Sequence, residues 1–128
     1  MKRILSPILL AMLVFFACSS KQFPQSGTSI SPDALQTLIQ KNKVQLIDAR
    51  TEGEYKQGHI PGAQLMDVLQ EASFLQQIKS LDANKSYVVY CRSGKRSKKA
   101  MELMMQNGFK KVTDLAGGMQ AWKGNTEQ

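Results

Sequence analysis

Hydrophobic residues follow two alternating patterns along the chain. Short, nearly continuous apolar runs are typical of buried strands, whereas apolar residues three or four positions apart are typical of helices with one face in the core. The run at 86–90, Ser-Tyr-Val-Val-Tyr, combines β-branched and aromatic residues and is the clearest strand in the sequence. The runs that predict strands lie at 44–49, 63–66, 86–90 and 112–115.

Spaced apolar residues predict a helix in each of three connections. The first helix begins at Ser31, a good N-cap residue, with Pro32 in its first turn, and the third ends before Gly108. Helices that alternate with strands predict an α/β fold, with a mostly parallel sheet covered by helices on both faces. The residues expected to face the core are Leu35, Leu38 and Ile39 in the first helix, Phe74, Leu75, Ile78 and Leu81 in the second, Ala100, Leu103 and Met104 in the third, and Met119 and Trp122 in a short closing turn.

The composition fits one globular domain. The chain has 128 residues, of which 42% are hydrophobic and 21% are charged, and a chain of this length builds a single core. Two cysteines, Cys18 and Cys91, and one histidine, His59, are too few for a disulfide framework or a tetrahedral zinc site. A histidine-based catalytic triad is disfavoured for the same reason. We therefore expect no metal and no cofactor.

The first residues have the pattern of an export signal. Lys2 and Arg3 precede an apolar run at 4–16, and Ala17-Cys18-Ser19-Ser20 follows it with small residues. The run is shorter than the roughly 20 residues with which a helix spans a bilayer. Cys18 resembles the cysteine that is acylated in bacterial lipoproteins. An ordinary cleavage site at Ala17-Cys18-Ser19 is the alternative.

These features divide the chain into four segments. Residues 1–17 are predicted to be a signal peptide, 18–29 a polar tether, 30–123 the folded domain and 124–128 a C-terminal tail. We expect an exported protein, in the periplasm or the cell envelope, that is anchored to a membrane through a lipid on Cys18.

Positive charge is concentrated in one short stretch. The chain carries 17 basic and 10 acidic residues. No aromatic residues interleave with the basic cluster, as they do in many surfaces that bind nucleic acid. We therefore expect a small anionic substrate and no nucleic acid. The cluster consists of Arg92, Lys95, Arg96, Lys98 and Lys99.

The strongest candidate for chemistry is Cys91, which follows the predicted strand 86–90 and precedes a predicted helix. The reactive crevice of a parallel sheet lies at the carboxyl ends of its strands. Inward peptide N–H groups, the positive end of the helix and nearby cations all favour a thiolate, and Gly94 allows the curvature that such a loop needs. A cysteine that only fills the core needs none of these. We predict Cys91 as the nucleophile, and the loop that stabilises it and binds substrate is Arg92, Ser93, Gly94, Lys95 and Arg96.

A second polar group follows the predicted strand 44–49. Asp48 is expected either to hydrogen-bond backbone at the mouth of the Cys91 loop or to orient Arg50, and Arg50 is expected to pair with Glu54. His59 lies in a loop with two glycines and a proline. We interpret it as a packing residue rather than a general base, because a cysteine that is already a thiolate needs no base.

Several motifs, in the same order, resemble those of a single-domain rhodanese, a thiosulfate sulfurtransferase-like protein. The resemblance covers about 30–123 and implies an α/β fold around a five-stranded parallel sheet. It also implies a ping-pong reaction in which Cys91 takes a sulfane sulfur from a donor such as thiosulfate, becomes a persulfide, and passes the sulfur to cyanide or a thiol. The motifs are Leu46-Ile47-Asp48-Ala49-Arg50, Glu54-Tyr55, Gly58-His59-Ile60-Pro61-Gly62-Ala63, Tyr90-Cys91-Arg92-Ser93-Gly94-Lys95-Arg96-Ser97 and Leu115-Ala116-Gly117-Gly118-Met119-Gln120-Ala121-Trp122.

Other functions of a cysteine loop fit this sequence less well. Phosphatases and arsenate reductases with a similar loop use Cys-x5-Arg, and the sequence has Ser97 where that pattern needs arginine. Thiol–disulfide exchange needs a resolving thiol, which is missing if Cys18 is acylated. The alternative that stays open is a persulfide carrier that delivers sulfur to a partner protein and turns over free thiosulfate poorly.

Overall fold

The structure is a computed structural model that describes residues 23–128. Five strands form one sheet in the order β1-β5-β4-β2-β3, and every neighbouring pair is parallel. The predicted α/β class and parallel sheet are confirmed. The strands are β1 Ser29–Ile30, β2 Gln45–Asp48, β3 Gln64–Leu65, β4 Ser86–Tyr90 and β5 Lys111–Leu115, and the helices are α1 Pro32–Gln40, α2 Glu52–Gln57, α3 Glu71–Ile78, α4 Lys95–Gln106 and α5 Gly118–Ala121.

The register of the sheet places two polar segments side by side. Asp48, the last residue of β2, is the partner of Tyr90, the last residue of β4. Cys91 directly follows Tyr90, and Arg50 lies two residues beyond Asp48. Because parallel strands end at the same edge of a sheet, both segments emerge at one edge of the molecule.

The sheet is packed on both faces, which explains why β4 has no polar face. Tyr87 and Val89 belong to one core cluster with α3 and α4, whereas Val88 and Tyr90 belong to the other with α1. Successive strand residues point to opposite faces, so a strand between two helical layers is apolar throughout. Of the residues predicted to face the core, the fully buried ones are Leu35, Phe74, Ile78, Ala100 and Met104; those packed at its edge are Leu38, Ile39, Leu75, Leu81, Leu103, Met119 and Trp122.

The ends of the described region are more integrated than the sequence indicated. Ser26 and Gly27, which were assigned to the tether, hydrogen-bond Val112, and β1 then pairs with β5. Glu127, which was assigned to the C-terminal tail, forms a two-way backbone bridge with His59. Neither segment is hydrophobic, and the pairing is made by backbone groups, which a hydrophobicity pattern does not report.

The predicted signal peptide and Cys18 lie outside the described residues. Within residues 23–128, no helix is both long and apolar enough to cross a membrane.

Candidate active site

Cys91 is the centre of a short loop between β4 and α4. The residue is 1% exposed, and the peptide N–H of Gly94 donates a hydrogen bond to its Sγ atom at 3.0 Å. Gly94 caps α4 with a φ of 121°, a conformation that residues with a side chain rarely adopt. The glycine at this position therefore allows the backbone to curl around a single sulfur atom.

The loop favours the charged form of the Cys91 sulfur. Burial raises the pKa of the thiol, but the Ser97 side chain beside the sulfur and the peptide N–H groups of Ser97, Gly94 and Ser93 outweigh it. The net pKa of Cys91 therefore lies below its usual value. Hydrogen bonds to a charged form lower its free energy relative to the neutral form, which is the physical cause of this shift.

Ser97 and Asp114 complete the inner wall of the loop, and the sequence analysis did not assign either of them to the site. Both residues are fully buried. The Ser97 Oγ atom lies 3.5 Å from Cys91 Sγ and 3.1 Å from Asp114 Oδ2. Asp114 lies in β5, between the apolar positions of a buried strand, and a charged residue at such a position was the available signal.

Most of the basic cluster is neutralised by carboxylates. Arg96 donates to both oxygens of Glu54, at 2.7 and 2.9 Å. Lys99 pairs with Glu71 at 2.7 Å, and Lys98 lies 3.5 Å from Asp114. Among the described residues, only two members of the cluster, Arg92 and Lys95, have no ion-pair partner, and both are exposed.

The Arg96–Glu54 pair corrects an expectation from the sequence. Arg50 was expected to pair with Glu54, but the Glu54 carboxylate faces α4 instead and also caps α2 through Thr51. The hydrogen bonds from Arg96 are the main reason why the pKa of Glu54 is lowered to about 2. A four-residue separation does not ensure contact here, because Arg50 precedes the helix.

Arg50 is held by Asp48, which decides between the two roles considered for that aspartate. Arg50 donates to Asp48 through its peptide N–H, Nε and Nη2, and a further bond from Nη2 reaches the Gly58 carbonyl. Its guanidinium also lies 5.6 Å from the centre of the Tyr90 ring. The Arg50 guanidinium therefore points toward the loop at Gly58, and the Asp48–Arg50 pair holds that loop beside the end of β4.

His59 lies in a packed position away from the sulfur. Its ring stacks on Tyr55 with centroids 3.6 Å apart, Nδ1 lies 2.9 Å from the Tyr55 carbonyl, and Nε2 lies 3.2 Å from the Glu127 carboxylate. Both ring nitrogens are therefore occupied by groups outside the Cys91 loop.

A glycine turn before α5 supports the loop from below. The peptide N–H groups of Met119 and Gln120 donate to the carbonyl oxygens of Cys91 and Arg92. A Cβ atom at Gly118 would overlap the carbonyl oxygen of Cys91, so only glycine permits this approach. These hydrogen bonds direct the carbonyl oxygens of Cys91 and Arg92 toward the glycine turn, and this orientation leaves the N–H groups of the loop free to face the sulfur.

An open cleft of about 540 Å³ lies beside the loop. Arg92, Glu54 and Arg50 line it, together with Gln120 of α5 and Thr126 near the C-terminal bridge. Cys91 itself does not line the cleft, because its sulfur is recessed beneath the loop.

The geometry defines a class: a parallel α/β domain with one cysteine held in an amide-lined loop. Comparisons with known proteins identify the family. The model of the rhodanese-like domain matches residues 31–125, so the chain belongs to the rhodanese-like domain family.

Named relatives include a sulfurtransferase and a putative sulfur carrier protein. The chain is 30% identical over 115 residues to "Thiosulfate sulfurtransferase 18" of Arabidopsis thaliana, covering 81% of this chain and 84% of that protein. It is 31% identical over 107 residues to "Putative sulfur carrier protein YrkF" of Bacillus subtilis, covering 80% of this chain but only 56% of that protein. The crystal structure of a rhodanese-like domain protein from Staphylococcus aureus matches with a TM-score of 0.69 and 32% identity, over 78% of this chain and 96% of that one.

Proposed function

We propose that the protein is a sulfurtransferase that carries a sulfane sulfur on Cys91. The thiolate attacks the outer sulfur of a donor such as thiosulfate, the donor's S–S bond breaks, and sulfite leaves with the bonding electron pair. Cyanide or a thiolate then attacks the outer sulfur of the persulfide, and the Cys91 thiolate leaves. The observation that carries the proposal is the recessed Cys91 sulfur within a ring of peptide N–H donors.

The same ring suits both states of the sulfur. A thiolate and a persulfide each place negative charge on a compact sulfur, and fixed N–H dipoles stabilise such charge without reorganising. The two exposed cations of the loop, Arg92 and Lys95, are suited to attract an anionic donor to the mouth. The buried Asp48–Arg50 pair has a structural role, because its two charges neutralise each other.

The second candidate is a persulfide carrier that passes sulfur to a partner protein. The name of the Bacillus subtilis relative favours this candidate. The recessed position of Cys91 also favours it, because both ring nitrogens of His59 are engaged elsewhere and His59 is not placed to act as a base for an incoming acceptor. In that case the acceptor itself must supply a thiolate.

A steady-state assay separates the two candidates. For the enzyme, the full chain with thiosulfate and cyanide forms thiocyanate over many turnovers, and Cys91→Ser forms none. For the carrier, thiosulfate loads one sulfur but turnover of free cyanide stays near background. An active Cys91→Ser variant contradicts both candidates. Asp33→Asn, a change in an exposed residue of α1, serves as the control and keeps wild-type turnover.

We further propose that the domain acts outside the cytoplasm, tethered to a membrane by acylated Cys18. The support is the apolar run that ends at Ala17 and the small residues that follow. Cys18→Ala is expected to leave the precursor uncleaved at that site or to release a soluble form. Wild-type protein that is found soluble, with a first residue other than Cys18, contradicts acylation.

A further inference from the structure

The Ser97 hydroxyl has one proton and three candidate acceptors. Its Oγ atom lies 3.0 Å from the Gly94 carbonyl, 3.1 Å from Asp114 Oδ2 and 3.5 Å from Cys91 Sγ. A hydroxyl donates only one hydrogen bond at a time. When its proton faces Asp114 or Gly94, Ser97 offers the Cys91 sulfur only a lone pair, which accepts from a thiol and repels a thiolate.

Asp114 is built into the fold as a strong competitor for that proton. Its carboxylate is fully buried, the Ser29 hydroxyl of β1 donates to Oδ1, and Lys98 of α4 lies 3.5 Å from Oδ2. A carboxylate oxygen is a stronger acceptor than a carbonyl, and Asp114 Oδ2 lies at a normal hydrogen-bond distance of 3.1 Å from Ser97 Oγ.

We propose that Asp114 is a positioning residue that competes with Cys91 for the Ser97 proton and so keeps the Cys91 thiolate basic enough to attack a sulfur donor. The inference rests on the proposed function of Cys91. It assigns to Asp114 a role opposite to that of the loop amides: they stabilise the thiolate, and Asp114 limits the stabilisation.

The chemical reason for such a limit is that Cys91 has two tasks. As the attacking group it needs basicity, because the nucleophilicity of a thiolate falls as its pKa falls. As the leaving group of the persulfide it departs faster when its pKa is lower. The residue that sets the pKa of Cys91 therefore divides the rate between loading and unloading of sulfur.

Of the other charged groups near the loop, Arg92 and Lys95 are exposed and screened by water, and the rest are paired. On α4, Arg96 pairs with Glu54 of α2, and Lys98 faces Asp114 itself. Through-space repulsion between Asp114 and the thiolate is the remaining electrostatic effect. This repulsion raises the pKa of Cys91, and its loss in a variant with a neutral residue 114 lowers that pKa. The test must therefore separate the loss of repulsion from the effect that passes through Ser97.

The test is the pH profile of Cys91 alkylation by iodoacetamide, a neutral probe, followed by peptide mass in the full chain. In Asp114→Asn the side-chain amide donates to Ser97, and the Gly94 carbonyl and the sulfur remain as acceptors of the Ser97 proton. We expect the thiolate to take it, because a charged acceptor forms the stronger hydrogen bond. We expect the midpoint to fall by about one pH unit, because hydrogen bonding to a charged form favours it, and the plateau rate to fall about threefold. Asp33→Asn, an exposed change of the same chemistry, is the control and leaves both unchanged.

A double-mutant cycle separates the two routes. In a Ser97→Ala background, Asp114→Asn should shift the midpoint by less than half as much as in the wild-type background. An equal shift in both backgrounds means that only through-space charge acts, and it overturns the proposal. A midpoint that rises or stays fixed in Asp114→Asn also overturns it.

A further variant keeps the test decisive if Asp114→Asn does not fold. Ser97→Ala alone should move the midpoint by less than about half a pH unit, because Asp114 already holds the hydroxyl proton. A rise of a full unit or more shows that Ser97 donates to the thiolate in the wild-type protein and contradicts the proposal. Alkylation does not need sulfur transfer, so a protein that alkylates as expected but never forms a persulfide contradicts the proposed function alone.

Discussion

Two neighbouring strands of the sheet end beside a buried acidic group, and the two ends stabilise its charged form in opposite ways. After β2, Asp48 receives three donors from one arginine, and the charges cancel within the fold. After β4, the sulfur of Cys91 accepts hydrogen bonds from peptide N–H groups of its own loop rather than from an arginine side chain. Fixed dipoles stabilise the anion without covering it with a counter-ion.

This difference makes the end of β4, and not the end of β2, suited to chemistry. A carboxylate locked in an ion pair has no reason to exchange partners, because separation leaves a buried charge uncompensated. An anion held by dipoles keeps its lone pairs available to an incoming electrophile. Substitutions at each of the two strand ends test this difference, and the largest effect is expected at the end of β2.

Removing the counter-ion at the β2 end should cost the most stability. Arg50→Met leaves Asp48 buried without a cation, which we expect to lower the free energy of unfolding by about 3–5 kcal/mol. The measurement is chemical denaturation at neutral pH. Lys56→Met, which removes an exposed ion pair with Glu52, is the control and should change stability by less than about 1 kcal/mol. Similar losses in the two variants would show that the buried pair is not special.

Adding a methyl group beneath the β4 end should damage the Cys91 loop. In Gly118→Ala the new Cβ overlaps the Cys91 carbonyl, so we expect a loss of about 1–3 kcal/mol and a higher pKa of Cys91, because the amide ring is displaced. Gly62→Ala is the matched control: its φ of +82° is also left-handed, but no atom lies within 4 Å of the added Cβ. Alkylation profiles that coincide for the two variants would contradict the supporting role of the glycine turn.

The Arg96–Glu54 pair should contribute stability that depends on pH. Because the folded pKa of Glu54 is lowered from 4.5 to about 2, its contribution is present above about pH 4.5 and is lost as the pH falls toward 2. We expect Glu54→Gln to cost about 1 kcal/mol at neutral pH, after allowance for its partial exposure, and little near pH 2. Urea denaturation across this range checks it. Glu52→Gln, in an exposed pair, should show a smaller change; a cost for Glu54→Gln that is constant down to pH 2 would contradict the pairing.

Loss of an exposed cation at the mouth should have the smallest effect on the sulfur itself. Lys95→Ala should raise the KM for thiosulfate a few-fold and move the alkylation midpoint of Cys91 only slightly, because water and salt screen exposed charges more than buried dipoles. The control is Lys85→Ala, which changes an exposed residue directly before β4, at the end of the strand opposite to Cys91. A large rise in the midpoint for Lys95→Ala would show that cations, rather than amides, stabilise the thiolate.

The fold and the position of Cys91 in a loop between a strand and a helix were predictable because each depends on a local signal. The apolar run before Cys91, the glycine and the following helix all lie within one short stretch of sequence. The parallel sheet followed from alternating strands and helices. Both features could be predicted because each depends on residues that are close together in the sequence.

What the sequence did not reveal depends on long-range pairing. β1 joins the sheet through backbone groups that carry no hydrophobic signal. Arg96 finds Glu54 on another helix, and Arg50 turns back to Asp48, so the choice among nearby opposite charges was set by packing. Asp114 reaches Ser97 only because β5 lies beside β4.

The most direct test of the account is the intact mass of the full chain before and after thiosulfate. Wild-type protein should gain the mass of one sulfur atom, the gain should map to Cys91, and cyanide should remove it with release of thiocyanate. Cys91→Ser should show no gain. A stable wild-type mass under these conditions, or a gain that persists in Cys91→Ser, would contradict the assignment of Cys91 as the residue that carries the sulfur.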